Sequence, residues 1–230
     1  MPTVRLCVFD AYGTLFDVAA AARIAAAEPG AAGWSRRWPA LSASWRRKQL
    51  EYTWLRAVAG AHVDFWQVTQ DALDWAMEAE GLQDPGLRRR LLDLYRELAA
   101  FPEVPGMLAA LRGRGLRLAI LSNGAPAMLE AAVASAGIAP HLEAILSVED
   151  VGVFKPHRRV YALVEQHFGI APAETAFVSS NGWDACAAAA FGFRSIWVNR
   201  EDAPLDRLHG RPAHVLRDLR RLPALLEHAV

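Results

Sequence analysis

Apolar and polar positions along this chain fall into two regimes. Short, nearly unbroken apolar runs stand at VRLCVF (4–9), RLAIL (117–121), EAILSV (143–148), TAFVS (175–179) and RSIWV (194–198), and stretches of helical periodicity separate them. A run that is apolar at successive positions buries both of its faces, so these runs predict a parallel sheet covered on both sides by helices. The stretch between the first run and the second is roughly 85 to 100 residues long, far more than one crossover helix needs. Its own pattern is helical. Asp17 precedes VAAAARIAAAE, Asp64 precedes FWQVTQDALDWAMEAE with Gly81 after it, and Asp84-Pro85 opens GLRRRLLDLYRELAA. An Asp N-cap, a Pro at the first helical position and a terminating Gly each satisfy or remove orphan backbone groups at helix ends. The expected architecture is α/β, with a parallel-sheet core from residues 1–15 and 98–230 and an all-helical subdomain inserted at 16–97. The segment from Asp202 to His214, with two Pro and one Gly, reads as a loop before the last helix.

Composition narrows the function classes. With 53% apolar residues, a mean hydropathy of +0.10 and no apolar run of about 18 residues, the chain is expected to be neither disordered nor membrane-spanning. Lys+Arg and Asp+Glu number 25 each, which leaves no global field to gather nucleic acid or an anionic membrane. A small-molecule partner is the expectation. The start MPTVRLCVFD carries no long apolar segment with a cleavage site, so a cytoplasmic setting is expected. Cys7 and Cys186 are too few and too separated for a disulfide framework or a metal cluster, and read as small buried hydrophobes. Six of the eight tryptophans fall between Trp34 and Trp75, where they read as packing residues. No histidine stands in a motif.

In an open parallel sheet, ligands bind beyond the carboxyl ends of the strands. The residues there form a coherent set. Asp10-Ala11-Tyr12-Gly13-Thr14 follows the first run, Ser122-Asn123-Gly124 the second, Lys155-Pro156 the third, and Ser179-Ser180-Asn181-Gly182-Trp183-Asp184 closes the fourth. Taken singly, Asp10 and Asp184 could be helix or turn caps, Lys155 a solvated loop residue, and Thr14, Ser122, Ser179 and Asn181 turn formers. Yet Lys155 is one of two lysines among 25 basic residues, which suggests that a compact ammonium is wanted there.

In their order, FDAYGTLFDV, AILSNG, VFKP and SSNGWDACAAAAFGF resemble the haloacid dehalogenase superfamily, and within it the L-2-haloacid dehalogenases. WRRKQLEYTWLR (45–56) resembles the first long cap helix of that subfamily. The resemblance implies a Rossmann-like core, a helical cap, an aspartate nucleophile, no metal or cofactor, and a homodimer. Phosphatases of the superfamily place a second Asp two residues after the first to protonate the leaving oxygen, and hold Mg²⁺ with further carboxylates near the fourth strand. Here those positions are Tyr12 and Ser180. A phenol is a poor acid at neutral pH, and the loss of a carboxylate weakens a hard-cation site. Halide leaves without protonation, so both departures suit carbon–halogen cleavage.

The resemblance also implies a role for each residue. The Asp10 carboxylate displaces halide from C2 of a 2-haloacid with inversion, and water then attacks the carbonyl carbon of the resulting ester. Asp184 serves that water, with Ser179 and Asn181 as hydrogen-bonding partners; Lys155 keeps Asp10 ionised between two carboxylates, and Thr14 holds one Asp10 oxygen. The N–H groups of Ala11 and Tyr12 and the Ser122 hydroxyl take the substrate carboxylate, while Arg46, the Asn123 amide and the ring edge of Trp183 take the halide. Tyr12, Leu50, Phe65 and Trp183 enclose the alkyl part. Arg47, where the subfamily often has Gln, is a second cation that could face pocket or solvent, and Glu51 reads as its i,i+4 surface partner. Two rivals stand beside this reading: a Mg²⁺-dependent phosphatase on the same fold, and an inactive relative that binds small carboxylates. Tyr12 and Ser180 oppose the first, and the intact Asp10, Lys155 and Asp184 oppose the second.

Overall fold

A computed structural model describes residues 3–227. All five apolar runs form strands: β1 (Leu6–Phe9), β2 (Arg117–Ser122), β3 (Ala144–Ser147), β4 (Thr175–Ser179) and β5 (Arg194–Val198). A sixth, β6 (His214–Leu216), completes a parallel sheet of order β3-β2-β1-β4-β5-β6. β6 begins where the sequence suggests only loop. It is a three-residue edge strand with no fully buried side chain, so it carries no apolar run; its pairing rests on backbone bonds such as Asn199 N–H to the Leu216 carbonyl at 2.7 Å.

The stretch between β1 and β2 folds as four helices, α1 (Ala20–Ala27), α2 (Trp38–Ala59), α3 (Phe65–Ala79) and α4 (Pro85–Arg96), before α5 (Val104–Gly113) returns to the sheet. Two of the three expected caps hold. The Asp64 carboxylate accepts the Gln67 N–H at 2.8 Å, and Asp84 accepts those of Gly86 and Leu87 at 2.8 and 3.0 Å. Asp17 differs. It accepts the Ala19 N–H at 3.0 Å, but α1 starts only at Ala20 with Ala19 as its N-cap, while the Asp17 backbone N–H is tied to the Ala99 carbonyl. There the outgoing and returning chains run side by side, with Phe101 N–H bonded to the Leu15 carbonyl. α2 packs on α3 through a buried stripe of Leu41, Trp45, Gln49 and Thr53, spaced i, i+4. Helices α6 (Pro126–Ser135), α7 (Arg158–Phe168), α8 (Gly182–Phe191) and α9 (Leu222–Glu227) complete the covering layers.

Every residue of β1 is buried, as are Cys7 and Cys186, which agrees with strands enclosed on both faces. Among the described residues no helix is long and apolar enough to cross a membrane. The strand order reverses between β1 and β4, so a crevice opens beyond their carboxyl ends. Phe9 stands opposite Ile120 and Val178, which brings Asp10, Ser122 and Ser179 to the lip of that crevice.

Candidate active site

Asp10 leaves β1 into a turn that only Gly13 closes without strain, since its φ is +87°. The turn brings Thr14 back beside Asp10, and Thr14 Oγ1 donates to Asp10 Oδ2 at 2.9 Å while accepting the Ser180 N–H at 2.8 Å. Asn181, the N-cap residue of α8, donates its amide to the same Oδ2 at 3.0 Å. Lys155 Nζ stands 3.1 Å from Asp10 Oδ1 and 2.9 Å from Asp184 Oδ2. The lysine side chain is 1% exposed and that of Asp184 0%, so the ion pairs are shielded from solvent. Burial drives the Lys155 ammonium down, but Asp10 and Asp184 together outweigh it and hold its pKa above the ordinary lysine value. Burial drives the Asp184 carboxyl up, and Lys155 only partly opposes this while Asp10 adds to it. Its pKa is therefore raised.

A cavity stands in front of Asp10, with room for about one water. Every residue lining it is one the sequence singled out: Asp10, Tyr12, Ser122, Asn123, Asn181 and Trp183 on the sheet side, and Arg46, Leu50 and Phe65 from α2 and α3. Bonds behind the wall fix which atoms are free in front. Ser122 Oγ accepts the Gly124 N–H at 3.0 Å, which leaves its own O–H to donate. Asn123 Oδ1 accepts the Lys155 N–H at 3.0 Å, so the Asn123 amide group turns its N–H donors away from that bond. Gly124 lets the Tyr12 ring lie close, since a Cβ there would come within 2.7 Å of Tyr12 Cε2. The Tyr12 hydroxyl is buried with no partner, and burial first, then nearby Tyr95, keeps it protonated.

Arg46 spans the boundary between α2 and the sheet. Its guanidinium donates to Gln49 Oε1 at 2.8 Å, to the Tyr12 carbonyl at 3.2 Å and to Asn181 Oδ1 at 3.3 Å. Arg47 is exposed and lies over the Trp75 ring at 5.5 Å, outside the cavity in front of Asp10. Glu51 pairs with Lys48 at 2.8 Å rather than with Arg47, because the i,i+3 lysine is nearer on the helix.

Residues 4–192 match the family model for haloacid dehalogenase-like hydrolases. The chain belongs to this family. It is 42% identical over 227 residues to (S)-2-haloacid dehalogenase 1 of Pseudomonas sp. (strain CBS-3), covering 98% of each chain. It is 43% identical over 231 residues to the (S)-2-haloacid dehalogenase of Pseudomonas sp. (strain YL), covering all of this chain and 97% of the relative. The structure of the L-2-haloacid dehalogenase from Xanthobacter autotrophicus with chloropropionic acid covalently bound superposes with a TM-score of 0.86 at 38% identity, over 97% of this chain and 98% of that one.

Many members of the haloacid dehalogenase superfamily use Mg²⁺, but the residues here do not fit it. Both carboxylates that would face the ion are bridged by the Lys155 ammonium, and Ser180 offers only a neutral hydroxyl, 3.1 Å from Thr14 Oγ1, in place of a carboxylate. Among the described residues no group of three or more His, Cys, Asp or Glu side chains could hold a metal.

The remaining predicted residues lie behind the cavity. Ser179 is wholly buried and accepts the Asn181 N–H at 3.2 Å, so it positions Asn181; the Ala11 side chain is buried beneath the turn. Two groups escaped the sequence reading. Tyr161 of α7 donates to Asp184 Oδ1 at 2.7 Å, and Gln49 joins Arg46 to Thr69 and Tyr95, donating to the two hydroxyls at 2.8 and 3.1 Å. Gln49 had a signal: a polar residue four positions after Trp45, inside the stripe that α2 buries. Tyr161 had none, as one aromatic among Val160, Val164 and Phe168 on a buried helix face.

Proposed function

We propose that this chain hydrolyses L-2-haloalkanoic acids, short ones such as 2-chloropropionate among them, to 2-hydroxy acids with inversion at C2. The observation that carries the reading is the Asp10 carboxylate, clamped by Thr14, Asn181 and Lys155 at a small cavity with Arg46 and Asn123 on its wall. The two dehalogenase relatives matched over almost the whole chain support it.

One Asp10 oxygen forms a bond to C2 as the carbon–halogen bond breaks, and halide departs as the anion toward Arg46 and the Asn123 amide. The substrate carboxylate rests on the Ser122 hydroxyl and the N–H groups of Ala11 and Tyr12, with the neutral Tyr12 phenol a further donor. Leu50, Phe65 and Trp183 close over the alkyl group and exclude water while the ester forms. Water then attacks the ester carbonyl carbon, Asp184 accepts its proton, and the 2-hydroxy acid leaves as Asp10 is regenerated. Each turnover releases one halide and one proton. Lys155 pairs with Asp10 and orients its carboxylate, and the α1–α4 helices over residues 16–97 act as a cap on a core of 1–15 and 98–230; the paired crossing of Leu15–Asp17 with Ala99–Phe101 supports this division. Homodimer assembly rests on the family resemblance.

The test is halide release from L- and D-2-chloropropionate in excess EDTA, run beside p-nitrophenyl phosphate with Mg²⁺. Halide from the L acid alone is expected, and phosphate release without halide rejects the reading. A single turnover in H₂¹⁸O puts label into Asp10; label found only in the hydroxy acid means direct attack of water on C2.

A further inference from the structure

An apolar groove of about 650 Å³ lies beside the reaction cavity, between the C-terminal half of α2 and the outer side of α7 and α8. Three observations join the two spaces. First, one face of α2 runs through both: Arg46 and Leu50 line the reaction cavity, and Trp54 and Val58, at the same four-residue spacing, line the groove. Second, Trp183 lines both. Its indole meets Trp54 edge to face at 5.4 Å, and its buried Nε1 has no hydrogen-bond partner, so no hydrogen bond through that N–H anchors the partition. Third, Phe154 of the groove packs on Phe65 of the cavity, with ring centroids 6.3 Å apart. The groove wall is dominated by apolar side chains, and its one arginine, Arg158, is stacked over Phe191 at 5.1 Å. Val58 and Leu208 remain 90% and 49% exposed at its mouth.

We propose that this groove holds the alkyl tail of longer substrates, so that the chain favours 2-haloalkanoic acids of about six to ten carbons over 2-halopropionate. The proposal rests on the dehalogenase reading above. That reading directs the carboxylate to Ser122 and the halogen to Arg46 and Asn123, which leaves the C2 substituent against Leu50, Phe65 and Trp183. The tail passes the Trp183–Trp54 partition as Trp183 turns. The reaction cavity, with space for about one water, has no room for such a tail. Each methylene moved from water into the groove raises kcat/KM roughly three- to four-fold until the groove is full.

The experiment measures bromide release from L-2-bromopropionate, L-2-bromohexanoate and L-2-bromooctanoate by the native chain, by Val58→Glu/Leu208→Glu, and by Ala57→Trp. The first variant charges the exposed mouth and the second fills the groove floor; neither touches the reaction cavity. In the native chain the octanoate is expected to exceed the propionate in kcat/KM by at least ten-fold. Both variants are expected to cut that ratio at least ten-fold with the propionate unchanged. A native preference for propionate, or a ratio unaltered by both variants, overturns the proposal. A change in particle mass by light scattering without a change in the ratio also overturns it, and assigns the groove to contact between subunits. Absence of bromide from all three acids rejects the dehalogenase reading and the groove assignment with it.

Discussion

Tyr161 donates its hydroxyl to Asp184 Oδ1 at 2.7 Å, and both groups are buried. The bond stabilises the ionised carboxylate and so works against the upward push of burial on Asp184. Tyr161→Phe removes that restraint, and the Asp184 pKa rises further. If Asp184 must be ionised to take the water proton in ester hydrolysis, the acid limb of kcat, where that step limits turnover, lies above the ordinary Asp value and moves to higher pH in the variant. A pH–rate profile of both proteins checks this. An unshifted limb with a uniformly lower rate makes Tyr161 a packing residue only.

Lys155→Met is expected to abolish turnover and to destabilise the fold by about 3–5 kcal/mol at neutral pH, because it leaves two buried carboxylates without their cation. The sign of the pH dependence is set by the raised pKa values. Lys155, raised in the folded state, contributes stability below the ordinary lysine value and loses it as pH climbs through the raised one. Without it, burial and the neighbouring Asp10 push the Asp184 carboxyl further toward its protonated form. The gap between native chain and variant should therefore narrow as pH falls through the carboxylate range, as measured by urea unfolding at a series of pH values. A gap independent of pH rejects the electrostatic account.

The strand ends were legible in the sequence because a doubly buried strand must be apolar throughout, and the residues just past its carboxyl end must lie at the crevice. That single rule brought Asp10, Ser122, Asn123 and Asn181 to one cavity. Arg46 was legible only through resemblance, since an Arg-Arg-Lys run on a helix has no inherent direction. What stayed hidden depends on bonds between distant segments. Tyr161 is 23 residues from Asp184, and the Asn123 amide is oriented by a backbone N–H 32 residues away. β6 was hidden for a different reason, as an edge strand with no fully buried side chain.

Arg200, just beyond β5, ties the Asp10–Thr14 turn to the place where the chain returns from the helical segment. Its guanidinium donates to the Thr14 carbonyl at 3.0 Å and to Glu103 Oε1 at 2.8 Å, and lies over the Phe101 ring at 3.7 Å. Thr14 in turn holds Asp10 Oδ2. Arg200→Ala should lower kcat about ten-fold by loosening that geometry, with KM less affected. Arg200→Lys should not restore it, because a point charge cannot make both bonds while stacking on Phe101. Full rescue by lysine would show that charge alone matters there.

His62, in the turn between α2 and α3, meets Glu149 just after β3, with Nε2 2.9 Å from Oε2. The His62 ring also packs on Phe154 at 4.7 Å, next to Lys155. Each partner buries a second polar atom, His62 Nδ1 and Glu149 Oε1, that has no bond of its own. The contact joins the helical segment to the sheet, and the reaction cavity is too small to admit a substrate without some movement between them. If that movement separates the segment from the sheet, the pair favours the joined arrangement, and apparent affinity scales with the fraction so joined. His62→Ala and Glu149→Ala should each raise KM for L-2-chloropropionate several-fold with kcat changed less than about two-fold, and the double variant should be no worse than either single one. Steady-state kinetics on the three variants decides this. Unchanged KM with a lowered Tm would mean that the pair only supports packing, and additive KM effects would mean that the two residues act separately.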